Sequence, residues 1–298
     1  MLKTVGILSP GDMGHTVGQV LGSHGLRVIT CLQGRSERTR ALAARAGIAD
    51  VSTYQALVKE ADILLSILVP AQAQQAARVV AQVISETDAD LVYADCNAVA
   101  PQTVRQIGDV IIGAGGRFVD ASIIGPPPRK KGTTRFYASG PHAGDLVALS
   151  QFGLDVVVLG EQIGLASAIK MCYAALTKGL AALCTELLTA ANVLGVSQAL
   201  EQEFRCSQPM LYERMERGLP RMPMKSRRWV GEMQEIARTF EQVGLTPKVL
   251  AGAADMYRFV ETTHLAERTP EDTEPFPTLP QMISTLAGYL SKDGPEVA

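Results

Sequence analysis

Residues 164–195, GLASAIKMCYAALTKGLAALCTELLTAANVLG, decide how the chain is organised. Apolar residues recur there at steps of three and four, which is the period of an α-helix. Such a helix would be roughly 45 Å long at 1.5 Å per residue, longer than a typical domain core is wide. A helix of this length in mid-chain usually connects two domains. We therefore predict a domain of residues 1–162 and a second domain of residues 163–298.

The gaps between the apolar positions of this helix hold mostly alanine, so we expect the helix to be buried on nearly all sides. Lys170 interrupts the apolar surface in the second turn. A lone lysine on such a helix usually extends its ammonium group to solvent, but it can also pair or take part in catalysis. Because Lys170, Lys178 and Glu186 interrupt the helix, we do not expect it to span a membrane.

The composition excludes several classes of protein. A chain of 298 residues with 47% apolar residues can form one large or two medium globular domains. The net charge of −2 does not suggest a nucleic-acid or anionic-membrane partner. The five cysteines and four histidines are scattered, without the spacing of a metal site. With no signal peptide before the first strand, we expect reduced thiols and a cytoplasmic protein.

The N-terminus has the pattern of a dinucleotide-binding turn. Residues 4–8 (TVGIL) form an apolar strand, and a helical stretch follows the turn. Glycines in such a turn let the backbone approach a pyrophosphate, and the helix N-terminus attracts its charge. Ser9 replaces the first glycine of G-x-G-x-x-G, so an ordinary strand–helix turn stays an alternative. The expected cofactor contacts here are Ser9, Pro10, Gly11, Asp12, Met13 and Gly14.

The second strand, residues 26–32, ends without the acidic residue that would bind the ribose hydroxyls of NAD. Arg35 and Ser36 follow instead, and a guanidinium with a hydroxyl suits a phosphate. We predict that NADP is preferred and NAD is less favoured. Alternatively, Arg35 is only the exposed start of the next helix.

Further apolar strands alternate with helical segments up to residue 160, which predicts a doubly wound parallel sheet. Ligands of such sheets bind beyond the carboxyl ends of the strands. This rule places three further segments beside the nucleotide turn and Arg35: Val69 with Pro70, Asn97, and Ile123 to Gly125. After Gly195 we predict only helices, among them 198–213, 226–243 and 246–264.

These features together resemble the β-hydroxyacid dehydrogenase superfamily, which includes 3-hydroxyisobutyrate and 6-phosphogluconate dehydrogenases and imine reductases. Its N-terminal motif, roughly G-x-G-x-M-G, is matched here from Gly11 through Met13 and Gly14. Its proline after a central strand is similar to Val69-Pro70, and its D-x-S/T motif is similar to Asp95-Cys96-Asn97. Residues 226–250 resemble a less-characterised phosphogluconate-dehydrogenase-like subgroup. The resemblance implies an NADP-binding Rossmann domain followed by an all-α domain.

Two sequence motifs of that superfamily are matched only in part. Its substrate loop corresponds to residues 120–126, where Ile124 replaces the serine that would bind a substrate carboxylate. Its catalytic stretch runs from Gly164 through Lys170, but Ala174 replaces the asparagine that follows. By resemblance, the substrate contacts are Ser122, Ile123, Ile124, Gly125, Tyr173, Ala174 and Trp229. We expect a small-molecule substrate with an apolar group.

The resemblance implies that Lys170 is the general acid and base. A lysine titrates near ~10.4 in water, and burial beside a cationic nicotinamide lowers that value towards neutrality. Tyr173 could supply a hydroxyl in place of the lost asparagine, or it could be a packed aromatic residue. An imine reductase and a non-catalytic NADPH sensor stay open as alternatives to the dehydrogenase that the resemblance implies.

The apolar helix also suggests a homodimer, in which Trp229 could reach the partner's site. The basic residues Lys225, Arg227 and Arg228 next to it either bind a carboxylate or form a solvated helix start, and we favour the second.

Overall fold

A computed structural model describes residues 2–293 of the chain, with side chains described for residues 2–290. The chain divides into two compact units, Met1–Cys172 and Tyr173–Ala298. The division falls inside the long helix, whereas the sequence placed the boundary before its start. Each unit is described separately below.

The first unit contains an eight-stranded sheet in the order β3-β2-β1-β4-β5-β6-β7-β8. Every neighbouring pair is parallel except β6 and β7, which are antiparallel because loop 125–134 joins them directly, without a crossover helix. The sheet confirms the predicted Rossmann-type fold class. The strands are β1 (Thr4–Ile7), β2 (Arg27–Thr30), β3 (Ala49–Asp50), β4 (Ile63–Ser66), β5 (Val92–Asp95), β6 (Arg117–Ile124), β7 (Arg135–Ser139) and β8 (Asp155–Gly160).

Helices cover both faces of this sheet. The helices are α1 (Gly14–Ser23), α2 (Glu37–Arg45), α3 (Tyr54–Glu60), α4 (Pro70–Thr87), α5 (Pro101–Gly113) and α6 (Ala143–Val147). One core packs α1, α2 and α6 on the sheet, through Val17, Ala43 and Leu146. The other packs α3, α4 and α5, through residues such as Leu57 and Val80. The carboxyl ends of β1, β4, β5 and β6 therefore share one edge, where the candidate site lies.

Two elements of the first unit were not predicted. Strand β3 has only two residues, both exposed, so it carries no apolar pattern. Helix α3 is seven residues long and starts where the Thr53 side chain accepts a hydrogen bond from Ala56 N at 3.1 Å. Elements this short give too few repeats for a period to be recognised.

The long helix α7 (Leu165–Val193) extends across the division between the units. The expectation that it is buried on nearly all sides is wrong. Its residues Leu176, Leu183 and Val193 are 64%, 55% and 61% exposed. By length and composition alone α7 could cross a membrane, with a mean hydropathy of 1.3 over an 18-residue window of which 33% is buried. Core helices of soluble proteins pass the same test.

The described part of the second unit is helical, as predicted. Its elements after α7 are α8 (Ser197–Ser207), α9 (Pro209–Gly218), α10 (Ser226–Gln242), α11 (Lys248–Glu261) and α12 (Leu279–Asp293), with short 3₁₀ turns between some of them. The sequence predicted one helix over 198–213, but the chain breaks at Gln208. Pro209 follows, and the residue before a proline is disfavoured in the helical conformation.

Candidate active site

The nucleotide loop, residues 9–14, connects β1 to α1 at the carboxyl edge of the sheet. A Cβ atom on Gly11 would meet no atom within 4 Å, so the backbone is open to a ligand there. A Cβ atom on Gly14 would lie 2.3 Å from Ser9 O, so only glycine lets the helix start this close to the loop. Both features fit the binding of a dinucleotide pyrophosphate at the α1 N-terminus.

An ion pair that the sequence did not predict crosses this loop. The Arg38 guanidinium, on α2, pairs with the Asp12 carboxylate. An acidic side chain in a phosphate-binding loop would repel the ligand, and the pairing with Arg38 reduces that repulsion. No sequence pattern connects the two residues, which belong to different structural elements.

Arg35 is half-buried in the loop between β2 and α2, so it is not simply the exposed start of the next helix. One of its terminal nitrogens, Nη2, donates to Leu8 O at 3.0 Å and to Tyr54 Oη at 3.1 Å. Its Nε is buried without a hydrogen-bond partner. Ser36 caps α2, because its hydroxyl accepts from Thr39 N at 3.3 Å. A guanidinium with an unsatisfied donor can donate a hydrogen bond to a phosphate group.

Asn97 connects the loops that follow β4 and β5. Its Oδ1 accepts from Leu68 N at 2.5 Å, and its Nδ2 donates to Ser66 Oγ and Asp95 Oδ2, each at 2.9 Å. The residue is only 2% exposed, so its amide shapes the crevice by holding these loops. Val69 is 40% exposed just beyond Leu68, and Pro70 begins α4.

Asp95 is the buried carboxylate beneath this connection. Its two oxygens accept from the backbone N and the side-chain Nδ2 of Asn97, at 3.0 and 2.9 Å. Burial, and to a smaller extent the Asp120 carboxylate, raises the pKa of Asp95 to about 7, although the bonds from Asn97 oppose the shift. The sequence predicted Asn97 as a site residue but gave no role to Asp95.

Lys170 lies against the end of β6, within the first unit. Its ammonium group donates to Ile123 O, the carbonyl of a residue that the sequence placed in the substrate loop. The hydroxyl of Ser122 is fully buried and donates to Ala166 O, one turn earlier in α7. Strand β6 therefore fixes both the start of α7 and the head group of Lys170.

Asp120, also on β6, holds the N-terminus of α7. One carboxylate oxygen accepts from Gly164 N at 2.8 Å, Ala166 N at 3.1 Å and Ser167 N at 3.2 Å. A carboxylate at a helix N-terminus is stabilised by the helix dipole and the unpaired amides. Burial nevertheless raises the pKa of Asp120 above its usual value. The sequence analysis missed this role because the partners lie 44 to 47 residues further along the chain.

The end of the predicted substrate loop is partly open. Ile124 is half-buried, and Gly125 is exposed with a φ of 128°. A Cβ atom on Gly125 would lie 2.3 Å from Thr133 O, so the turn requires glycine. Because isoleucine stands where the family has a serine, this part of the loop presents an apolar side chain.

The remaining predicted substrate residues belong to the second unit. Tyr173 is 52% exposed, whereas Ala174 is buried. The Trp229 ring packs edge-to-face against Tyr257, with centroids 5.2 Å apart. The ammonium group of Lys178 lies 5.5 Å from the centre of the Trp229 ring and pairs with Glu232, a buried residue.

The basic cluster beside Trp229 is only partly a solvated helix start. Arg227 and Arg228 are exposed, in agreement with that interpretation. However, Arg228 Nε lies 3.1 Å from Glu232 Oε1, and Lys225 Nζ lies 5.8 Å from the Trp229 ring centre. The sequence did not predict the Lys178–Glu232 pair, since the two residues lie on different helices.

Comparisons with known proteins agree with this architecture. Residues 4–145 match the NAD binding domain of 6-phosphogluconate dehydrogenase, and residues 191–260 match a domain of unknown function, DUF1932. An uncharacterised 28.5 kDa protein of Methanothermus fervidus, encoded in the 7S RNA 5′ region, is 30% identical over 258 residues. That match covers 86% of this chain and 98% of the relative.

Two solved structures extend the comparison. A conserved protein of unknown function, described as structurally similar to 3-hydroxyacid dehydrogenases, is 30% identical with a TM-score of 0.65, over 86% of this chain and 97% of its own. The 3-hydroxyisobutyrate dehydrogenase of Mycobacterium tuberculosis, solved with L-serine, has a TM-score of 0.68 over 96% of this chain and 99% of its own. At 17% identity this second likeness shows a shared fold. The chain belongs to the β-hydroxyacid dehydrogenase superfamily, in the group that joins a 6-phosphogluconate dehydrogenase-type NAD binding domain to DUF1932.

Proposed function

We propose that the protein is an NADP-dependent oxidoreductase that acts on a 3-hydroxy acid or another secondary alcohol, or on the corresponding ketone. The observation that carries the proposal is the position of Lys170, held by the Ile123 carbonyl at the sheet edge that also carries the nucleotide loop. A lysine fixed at the carboxyl edge of a Rossmann sheet is well placed for proton transfer to a ligand of that edge.

The proposed chemistry divides between the cofactor and this lysine. The nicotinamide, when bound, accepts or supplies the hydride. Lys170 removes the hydroxyl proton of an alcohol during oxidation, and it returns a proton to the oxygen during reduction. The hydrogen bond to Ile123 O orients the ammonium group, so the proton is held at one point of the site.

The substrate we propose carries an apolar group. Ile124 and the buried Ala174 stand where the superfamily has polar contacts, so the residues offer fewer hydrogen bonds to a hydroxylated sugar. A preference for NADP over NAD is proposed from Arg35, which has an unsatisfied buried Nε, and from the lack of an acidic residue after β2.

The test is a panel assay that follows reduced-nicotinamide absorbance in both directions. NADP⁺ is offered with 3-hydroxy acids and aryl alcohols, and NADPH with ketones and cyclic imines. We expect Lys170→Ala to lower turnover by a factor of ~100 or more while NADPH still binds. Lys59→Ala, an exposed lysine on α3, is the matched control and should retain full activity. Full activity of the Lys170→Ala variant would overturn the assignment.

The same panel separates the alternatives. Turnover of cyclic imines but not of ketones would make the protein an imine reductase. Tight NADPH binding without turnover of any compound would favour a sensor.

We also propose that the protein is a homodimer of the cytoplasm. The apolar side chains exposed on α7 would be covered by a second copy, because large exposed apolar patches usually mark interfaces. Its five cysteines are free, which fits a reducing compartment.

A further inference from the structure

His15, the second residue of α1, lies buried against the nucleotide loop, with 9% of its surface exposed. Its ring nitrogen Nδ1 is 2.7 Å from Gly11 O, and the same carbonyl accepts the His15 backbone N–H at 2.9 Å. A carbonyl oxygen can only accept hydrogen bonds, so Nδ1 must carry a proton. The ring thus holds the loop at the glycine where a pyrophosphate would approach.

The other ring nitrogen belongs to a short chain of hydrogen bonds. Nε2 is 3.2 Å from Thr16 Oγ1, and Thr16 Oγ1 is 3.2 Å from Asp12 O. A hydroxyl has one proton to donate. If the ring is neutral, with its proton on Nδ1, Thr16 must donate to Nε2 and its bond to Asp12 O is lost. If the ring is protonated, Nε2 donates to Thr16, Thr16 donates to Asp12 O, and every contact is made.

Helix α1 and the nucleotide loop carry few charged side chains besides His15. Helix α1, GHTVGQVLGS, has no acidic or basic side chain besides His15. The loop contributes the Asp12 carboxylate, which pairs with Arg38 from α2. A protonated His15 would add positive charge at a helix N-terminus that already favours anions.

We propose that His15 links nucleotide binding to the uptake of one proton, an inference that rests on the proposed nucleotide-binding function. The pyrophosphate stabilises the imidazolium, and the imidazolium completes the hydrogen bonds that hold Gly11 and Asp12 in place. His15 is thus a positioning residue. Its protonated form favours binding, so affinity is full at low pH and falls as the pH rises through the range in which histidine loses its proton.

The experiment measures the dissociation constant of NADH from pH 5.5 to 8.5. NADH is chosen because the 2′-phosphate of NADPH would itself titrate, as phosphate monoesters do near pH 6. For the wild type we expect the constant to rise roughly tenfold across this range, since a ligand that shifts the pKa of one linked group by about one unit changes its own dissociation constant by a factor of ten. His15→Asn retains a side-chain donor for Gly11 O but cannot titrate, so its constant should not change with pH.

His24→Asn is the matched control. His24 lies at the other end of α1 and makes the same kind of bond, from Nδ1 to Val20 O at 2.8 Å, but far from the loop. We expect it to keep the wild-type pH dependence. Asp95, whose pKa is raised to about 7, also titrates in this range, and a slope due to Asp95 would persist in His15→Asn. A persistent slope would therefore overturn the proposal.

Calorimetry of the wild type in two buffers of different ionisation enthalpy gives a second measurement that needs no variant. Uptake of about half a proton per NADH at neutral pH, as a tenfold change in affinity implies for one linked group, together with an upward shift of the His15 titration followed by NMR, would support the linkage. Binding without proton uptake would overturn it. If neither NADH nor NADPH binds at any pH, the proposed function fails first, and the inference fails with it.

Discussion

Replacing Asp95 with asparagine should remove part of the pH dependence of the free energy of unfolding. Asp95 is fully buried and its pKa is raised to about 7, while an aspartate in an unfolded chain titrates near ~3.9. A carboxyl group with a raised pKa binds its proton more tightly in the folded state. Its contribution to stability is therefore fully present below pH ~4 and is lost as the pH rises to about 7.

The size of the effect follows from the shift. Three pKa units correspond to about 4 kcal/mol, of which roughly 2–3 kcal/mol falls between pH 5 and pH 8. Asparagine at position 95 can accept the bond from Asn97 N, but its amide would face Asn97 Nδ2, donor against donor. That unsatisfied pair costs about 1–3 kcal/mol at every pH.

The assay is urea unfolding of wild type and Asp95→Asn at several pH values between 5 and 8. We expect the variant to be clearly less stable at pH 5, and the difference in free energy of unfolding to shrink by roughly 2–3 kcal/mol by pH 8. Asp109→Asn, an exposed carboxylate on α5, should show no such change with pH. A constant difference between wild type and Asp95→Asn would refute the reasoning.

Two further predictions concern the cofactor and the oligomeric state. Arg35→Gln should raise the dissociation constant of NADPH by ~10- to 100-fold, because a charge-assisted contact is lost, and should leave that of NADH nearly unchanged. Calorimetry measures both constants. An equal loss of affinity for NADPH and NADH would contradict the role of Arg35. Leu176→Glu places a charge at a 64% exposed apolar position of α7 and should convert the proposed dimer to a monomer, as measured by light scattering. A wild-type protein that is already monomeric would contradict the proposed dimer.

The alternation of strands and helices in the first unit was predictable because each buried strand forms a continuous apolar run. Strand β6, at Arg117–Ile124, is one of the strands in this alternation. The antiparallel pairing of β7 was not predicted, since a parallel and an antiparallel strand of this length have the same composition.

The nucleotide loop was predictable because strand, glycine turn and helix are adjacent in sequence. The contacts that complete the site were not, because they join distant residues. Arg38 meets Asp12 across 26 residues, and Asp120 meets Gly164 across 44. No local pattern encodes such a pair.

The long helix α7 shows a different limit of prediction from sequence. Its apolar period was evident from the sequence, but periodicity does not distinguish burial within the chain from an apolar surface left exposed. Leu176 and Leu183 are exposed in the single chain, although the pattern predicted that the helix is buried.

The way in which β6 fixes the start of α7 has a consequence for how such proteins diversify. Asp120 and Ile123 O hold Gly164 and Lys170 entirely within the first unit. The residues after Cys172 can therefore change without altering what anchors the lysine. A lineage of these proteins could thus exchange its helical half while inheriting the same anchored lysine unchanged.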